Sequence, residues 1–157
     1  MLRGEEISKT TGLVQFSTFI ISGRLYGIEV MSVQEVTMPM PLTPVPLTSN
    51  FVKGLINLRG QISTAIDMRG LFGLEKCDTD EKMAVVCRSD DSLISLLIDQ
   101  IGDVIEADID HFERAPDTVS SDIRKYIKGV HKLENNLMTV IDVKKIFNLL
   151  NQKVEAA

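Results

Sequence analysis

The feature that most constrains this chain is a pattern that occurs twice. Residues 51–67 lie over residues 126–142 without a gap. Lys53 and Gly54 then fall on Lys128 and Gly129, and Leu58 falls on Leu133. Thr64, Ile66 and Asp67 fall on Thr139, Ile141 and Asp142, and the match runs on to Phe72 over Phe147 and Leu74 over Leu149. A second pair stands upstream in the same order. Residues 26–36 lie over 94–104, each an apolar run, a short polar step, and an acid followed by valine. A self-match of this kind means one supersecondary plan used twice. It divides a domain spanning 14–150 into similar halves, about 14–80 and 81–150, either by duplication or because the same strand–turn demands are met twice. Residues 1–13 and 153–157 are left as flexible termini.

Each half reads as mostly β. Residues 14–22 and 26–30 are rich in β-branched and aromatic side chains and flank the turn residues Ser22, Gly23 and Arg24. Tyr26, Ile28 and Val30 alternate with Gly27 and Glu29, the period of a strand with one buried face. Residues 83–88 and 93–98 flank a turn at Ser89, Asp90 and Asp91, and residues 54–58 and 62–66 flank Arg59, Gly60 and Gln61. Asn135 and Asn136 serve as the equivalent turn in the second copy, since asparagine tolerates the left-handed backbone such turns need. Short strands joined by tight turns favour small closed barrels, in which exposed sheet edges disappear. Long helices are too few for a parallel α/β sheet.

Helices enter at two matched places. Asp67 and Asp142 each precede an apolar helical pattern and are suited to accept hydrogen bonds from free N–H groups at a helix start. Beyond Asp142, Val143, Ile146, Phe147 and Leu150 recur at helical spacing, which predicts an amphipathic C-terminal helix ending near Gln152. Residues 38–46 hold four of the five prolines and are expected to form an extended surface linker within the first half.

Composition narrows the function. Of 157 residues 44% are hydrophobic and 25% charged, as in an ordinary folded domain. The net charge of −5 argues against nucleic acid and against a polybasic membrane anchor. No apolar run approaches the ~20 residues that span a bilayer, and the N-terminal residues, with Glu5 and Glu6, resemble neither a signal peptide nor a lipidation motif. Cys77 and Cys87 form no disulfide framework and no metal-ligand spacing, and read as reduced structural cysteines of a cytosolic protein.

The motifs of catalysis are missing. There is no glycine-rich phosphate loop and no signature that singles out a nucleophile. His111 and His131 lie outside any metal-like cluster. Asp67 and Asp142 occupy equivalent places in the two copies, which makes them caps rather than a catalytic carboxylate pair. The expectation is a protein with no catalytic residues, no metal and no cofactor.

At this point the residues resemble a known family. The run from Phe51 through Lys53, Gly54, Asn57, Leu58, Arg59 and Gly60 to Ile62, followed by Ile66, Asp67, Met68 and Arg69, is similar to the central signature of CheW-like domains. Tyr26, Gly27 and Ile28 with Val33, Gln34, Glu35 and Val36 upstream, and Ile98, Asp99, Asp103 and Val104 downstream, fit the same family over about residues 14–150. The resemblance implies a mainly β fold: two five-stranded SH3-like β-barrel subdomains around a shared hydrophobic core, with short helices and a C-terminal helix. It implies a non-enzymatic adaptor between methyl-accepting chemoreceptors and the regulatory domain of the histidine kinase CheA. Such a protein would be cytoplasmic, held at receptor arrays on the inner face of the membrane, and would meet the membrane only through receptors. The alternative is an SH3-like double-barrel interaction module of another receptor–kinase pathway.

The same resemblance assigns receptor binding to Val33, Glu35, Gly54, Arg59 and Gly60, with Glu35 and Arg59 forming a salt bridge beside a groove near the barrel junction. It assigns kinase contact to Lys53 and to Pro116 in the loop 111–119. That loop departs from the family pattern, with Arg114 and Thr118 where proline and an aromatic are common. In the second copy Asp103 and Glu134 stand where Glu35 and Arg59 stand in the first, so the barrel plan itself does not demand the charge pairing.

Overall fold

Two turns and an alternating pattern start the fold. In the computed structural model, which describes residues 12–46, 49–75 and 82–156, β1 (Leu13–Ile21) and β2 (Arg24–Glu29) form an antiparallel hairpin. Both turn residues, Ser22 and Gly23, have positive φ, which matches the twist of the flanking strands. Val30 does not continue the strand as its spacing suggests. It opens a single 3-10 turn, Val30–Ser32, that redirects the chain into β3 (Val33–Thr37). After the extended proline-containing segment come β4 (Val52–Leu58), β5 (Gln61–Asp67) and one helical turn, α1 (Met68–Leu71). The second half supplies β6 (Met83–Ser89), β7 (Ser92–Ile98), β8 (Gln100–Asp108), β9 (Phe112–Glu113), α2 (Ser121–Arg124), β10 (Ile127–Lys132), β11 (Leu137–Ile141) and α3 (Val143–Ala156).

These strands form two sheets, ordered β8-β1-β2-β11-β10-β9 and β3-β6-β7-β5-β4. Each sheet draws strands from both halves of the chain. The halves join in one sheet through β1 with β8 and β2 with β11, and in the other through β3 with β6 and β5 with β7; β2–β11 and β5–β7 are parallel, and every other strand pair is antiparallel. The sheets therefore hold six and five strands, and neither closes through a backbone ladder. The fold is SH3-like and mainly β, but the expected closed barrels are open rolled sheets.

The chain closes the smaller sheet by other means. Beyond β3, Thr43 reaches β4 and exchanges two backbone hydrogen bonds with Leu55, each 2.8 Å. A Cβ on Gly54 would stand 2.5 Å from the Thr43 carbonyl oxygen, and Gly54 holds φ +149° beside a register shift in the β4–β5 ladder. Only glycine admits the linker this closely. The second copy repeats the device, for a Cβ on Gly129 would stand 2.5 Å from the Glu113 carbonyl oxygen of β9.

Strand alternation sorts the apolar side chains into three clusters. Phe16, Ala107, Met138 and Val140 fill the six-stranded sheet, and Ile56, Leu58, Ala65, Val86 and Leu97 fill the five-stranded one. The opposite faces supply the shared core: Phe19, Tyr26 and Ile28 from one sheet, Val85, Cys87, Ile94, Leu96 and Ile98 from the other. Strands β6 and β7 feed both clusters and are buried on both faces. Ile123 of α2 and Val143, Ile146 and Phe147 of α3 complete the shared core. The α3 helix runs to Ala156, past the expected stop near Gln152, because residues 152–156 contain neither glycine nor proline to end it. Of the expected loose termini, residues 1–11 and Ala157 lie outside the described residues, and Leu13 already belongs to β1.

The two helix-start aspartates differ. Asp67 accepts a hydrogen bond from the Arg69 N–H at 3.2 Å and caps α1 as expected. Asp142 Oδ1 is buried with no hydrogen-bond partner, and the backbone link at this start is Lys145 N–H to the Asp142 carbonyl at 3.2 Å. The lysines differ correspondingly. Lys53 Nζ lies 4.0 Å from Asp67, whereas its counterpart Lys128 turns to Glu29 at 3.4 Å and leaves Asp142 without that cation.

Candidate functional site

Arg59 and Gly60 form the β4–β5 turn, both with positive φ (+51° and +90°). Two such residues make the hairpin turn whose twist suits the strands, and Asn57 Oδ1 accepts the Gly60 N–H at 2.9 Å to fix it. This local geometry aims the Arg59 guanidinium at β3, where its Nη2 pairs with Glu35 Oε2. β3 and β4 are the end strands of their sheet, so the ion pair spans a gap that no ladder closes. Arg59 is 72% exposed at its side chain and Glu35 24%.

A second bridge lies beside it. Arg88 of β6 donates through Nε to Gln34 on β3 (2.6 Å) and through Nη2 to Gln61 at the start of β5 (3.0 Å). The two arginines tie β3 to the β4–β5 turn from either side. Met31, Val36, Met38 and Ile62, close in sequence to Glu35 and to the β4–β5 turn, are exposed. Polar anchors flanked by exposed apolar groups are the ingredients of a protein-binding face.

The structure brings Glu35, Arg59 and Gly60 together. Val33 sits two residues away but packs half-buried against the shared core, with a register shift between it and Glu35. Gly54 lies under the Thr43 linker, and its lack of a side chain is a packing requirement. Lys53 is partly exposed on end strand β4. Pro116 is exposed in the loop beyond β9, an end strand of the other sheet. A cleft of about 350 Å³ shares Arg88 with this face and is otherwise lined by Ile28, Glu29, Lys128, Asp142 and Phe147 among others; none of the seven sequence-assigned residues lines it.

Among the described residues, no group of three or more His, Cys, Asp or Glu side chains is placed to hold a metal ion. His111 is exposed. His131 is buried, edge-on to Phe112 at 5.2 Å between ring centroids, with both ring nitrogens unpartnered. Cys87 lies in the shared core, where burial pushes its thiol up to about 12, so it packs as a neutral side chain. Cys77 lies outside the described residues. No helix among the described residues is long and apolar enough to cross a membrane.

The CheW-like domain family matches residues 15–151. The chain belongs to the CheW-like family. Its relatives include the chemotaxis protein CheW of Helicobacter pylori, 33% identical over 136 residues that make up 85% of this chain and 81% of that one. The chemotaxis protein CheW of Bacillus subtilis is 30% identical over 131 residues, 83% of this chain and 84% of that one. Among solved structures, the scaffolding protein TtCheW from Thermoanaerobacter tengcongensis superposes with a TM-score of 0.73 at 26% identity, covering 82% of this chain and 88% of that one.

Within this CheW-like chain, reading the sequence missed Arg88 as a site residue. It sits near the end of a strand otherwise read for its apolar run, and no local motif marks it. Two residues noted only as family motif positions also acquire a physical role. Arg69 donates to Asp99 (Nη2 to Oδ2, 2.6 Å), Lys82 reaches the other oxygen at 2.6 Å, and the Ser22 N–H donates at 2.8 Å. Burial alone would raise the Asp99 carboxyl, but these donors outweigh it and hold it well below the usual carboxylate range. This knot ties the β1–β2 turn of one sheet to α1 and β7 beside the other.

Proposed function

We propose that this chain couples methyl-accepting chemoreceptors to the regulatory domain of CheA without catalysing a reaction itself. As a CheW-like protein it is an adaptor of chemotaxis signalling. The receptor's cytoplasmic tip would dock on the face organised by Glu35, Arg59 and Gly60, with Val33 and Gly54 shaping it from beneath. The kinase would be met at Lys53 and at the Pro116 loop. The observation that carries this reading is the Glu35–Arg59 ion pair held across the sheet opening, with exposed apolar side chains close to it in sequence. An exposed pair adds little to stability, about 0–1 kcal/mol, so its value lies in orientation and partner choice.

Control of the kinase then needs no chemistry from the adaptor. It shifts the kinase equilibrium by binding one state better than another. The protein would act in the cytoplasm, at receptor arrays on the inner face of the membrane, and reach lipid only through its receptors. The test is reconstitution: phosphorylation by CheA in the presence of receptor, with and without this chain. Receptor-dependent activity that rises with added chain supports the reading, and activity indifferent to it refutes the reading.

A further inference from the structure

Arg124, the last residue of α2, holds the Pro116 loop from inside. Its Nη1 donates to the Ala115 carbonyl at 3.2 Å, and its Nη2 donates to the carbonyls of Pro116 and Val119, the latter at 3.3 Å. Three carbonyls from five consecutive residues converge on one guanidinium. A planar fork with several N–H donors can satisfy such a set, whereas a single ammonium presents a point charge. The Val119 N–H also donates to the Pro116 carbonyl at 3.0 Å, closing the turn.

The place of this staple in the fold is informative. Thr43 and Glu113 are equivalent, since each lies against the glycine of its copy. Eleven positions separate Thr43 from Gly54, but sixteen separate Glu113 from Gly129. The second copy is thus longer at this point, and the loop and α2 lie in the longer stretch. The α2 turn is itself anchored, with Ile123 in the shared core. Asp122 lies against Gly73, where a Cβ would come within 3.0 Å of its Oδ2. A rigid support therefore stands directly behind an exposed loop tip made of Pro116, Asp117 and Thr118.

We propose that Arg124 is a positioning residue that presets the Pro116 loop for the regulatory domain of the kinase. This rests on the assignment of Pro116 to kinase contact made above. A loop ordered before binding loses less conformational freedom on association. The arginine contributes to binding without touching the partner. It also offers a physical replacement for the stiffening that proline at position 114 would supply.

The experiment compares the full-length chain with its Arg124→Gln, Arg124→Lys and Pro116→Glu variants. Binding of the isolated CheA regulatory domain and of a chemoreceptor tip is followed by surface plasmon resonance, and loop amides by hydrogen exchange. Arg124→Gln should expose the Val119 amide to faster exchange and weaken the kinase domain by about tenfold, with receptor-tip binding unchanged. Arg124→Lys, which keeps the charge and the stem, should fall between the two and remains a test should the glutamine variant fold poorly. Pro116→Glu should weaken the kinase domain whatever the loop order. Weakening by Pro116→Glu but not by either Arg124 variant overturns the positioning role alone. Unchanged binding in Pro116→Glu overturns the kinase-contact assignment, and the inference with it.

Discussion

Glu35 and Arg59 stand at opposite margins of the five-stranded sheet and meet in an ion pair where backbone pairing stops. The contact is made possible by a left-handed Arg59 in the β4–β5 turn, which directs the side chain back over the sheet. Arg59→Glu places two like charges at this point. Unfolding in urea should give a stability within about 1 kcal/mol of the parent, because the arginine is largely solvated. Capture of a chemoreceptor tip should fall markedly. A variant that binds the tip and activates the kinase normally would remove Arg59 from the docking face.

Asp99 makes a sharper stability prediction. Its carboxylate is shared by Arg69, Lys82 and the Ser22 N–H, and all four are at least partly withdrawn from water or pinned at a turn. Asp99→Asn should cost about 2 kcal/mol, the scale of hydrogen bonds to a charged group. The folded carboxyl lies below its ordinary value of 3.8, so the contribution is fully present above that value and is lost as pH falls through it toward the folded one. Thermal melts of both proteins between pH 7 and pH 2 should converge as acid removes the advantage of the parent. A constant gap across that range would contradict the assignment.

Gly54→Ala and Gly129→Ala should both destabilise, by about 1–3 kcal/mol, because each methyl would be forced into a carbonyl 2.5 Å away. Gly60→Ala places its methyl in open space and suffers only from the positive φ, by about 1 kcal/mol. Chemical denaturation of the three variants gives the order. Equal losses at Gly54 and Gly60 would show that the Thr43 contact is not what requires glycine.

His131 is buried with both nitrogens unpartnered, between Phe112 and Met138 on neighbouring strands. Leucine removes the unsatisfied polar atoms while keeping apolar bulk. His131→Leu should raise stability by about 1 kcal/mol, read as a higher melting temperature with the cooperativity of unfolding unchanged. A destabilised variant would mean that the ring has a partner in solution.

Much of this was legible residue by residue. Period-two alternation in β2 placed Tyr26 and Ile28 on a buried face from sequence. The turns at Ser22-Gly23 and Arg59-Gly60 announced themselves through glycine. Val30 misled because a β-branched residue can also begin a 3-10 turn, and the decision rests on the path the chain must take next. Asp142 misled for a similar reason. It matches Asp67 in sequence, but its Oδ1 is buried without a hydrogen-bond partner, and whether a carboxylate reaches the helix N–H groups depends on the side-chain rotamer that the surrounding packing selects.

Sequence alone determined the twofold plan, the strand-rich character and the glycine positions, and the family resemblance added the pairing of Glu35 with Arg59. These are local or short-range facts, set by side-chain period, turn stereochemistry and the order of residues. Tertiary structure alone decided that β1 pairs with β8, β2 with β11, β3 with β6 and β5 with β7, so that each sheet is assembled from both halves. It also decided that Arg88 bridges Gln34 and Gln61 and that Arg124 grips the loop at Pro116. The physical reason is that parallel pairing and long side-chain reach depend on which buried faces find each other, and the shared core between the sheets settles that only when the whole chain has collapsed around it.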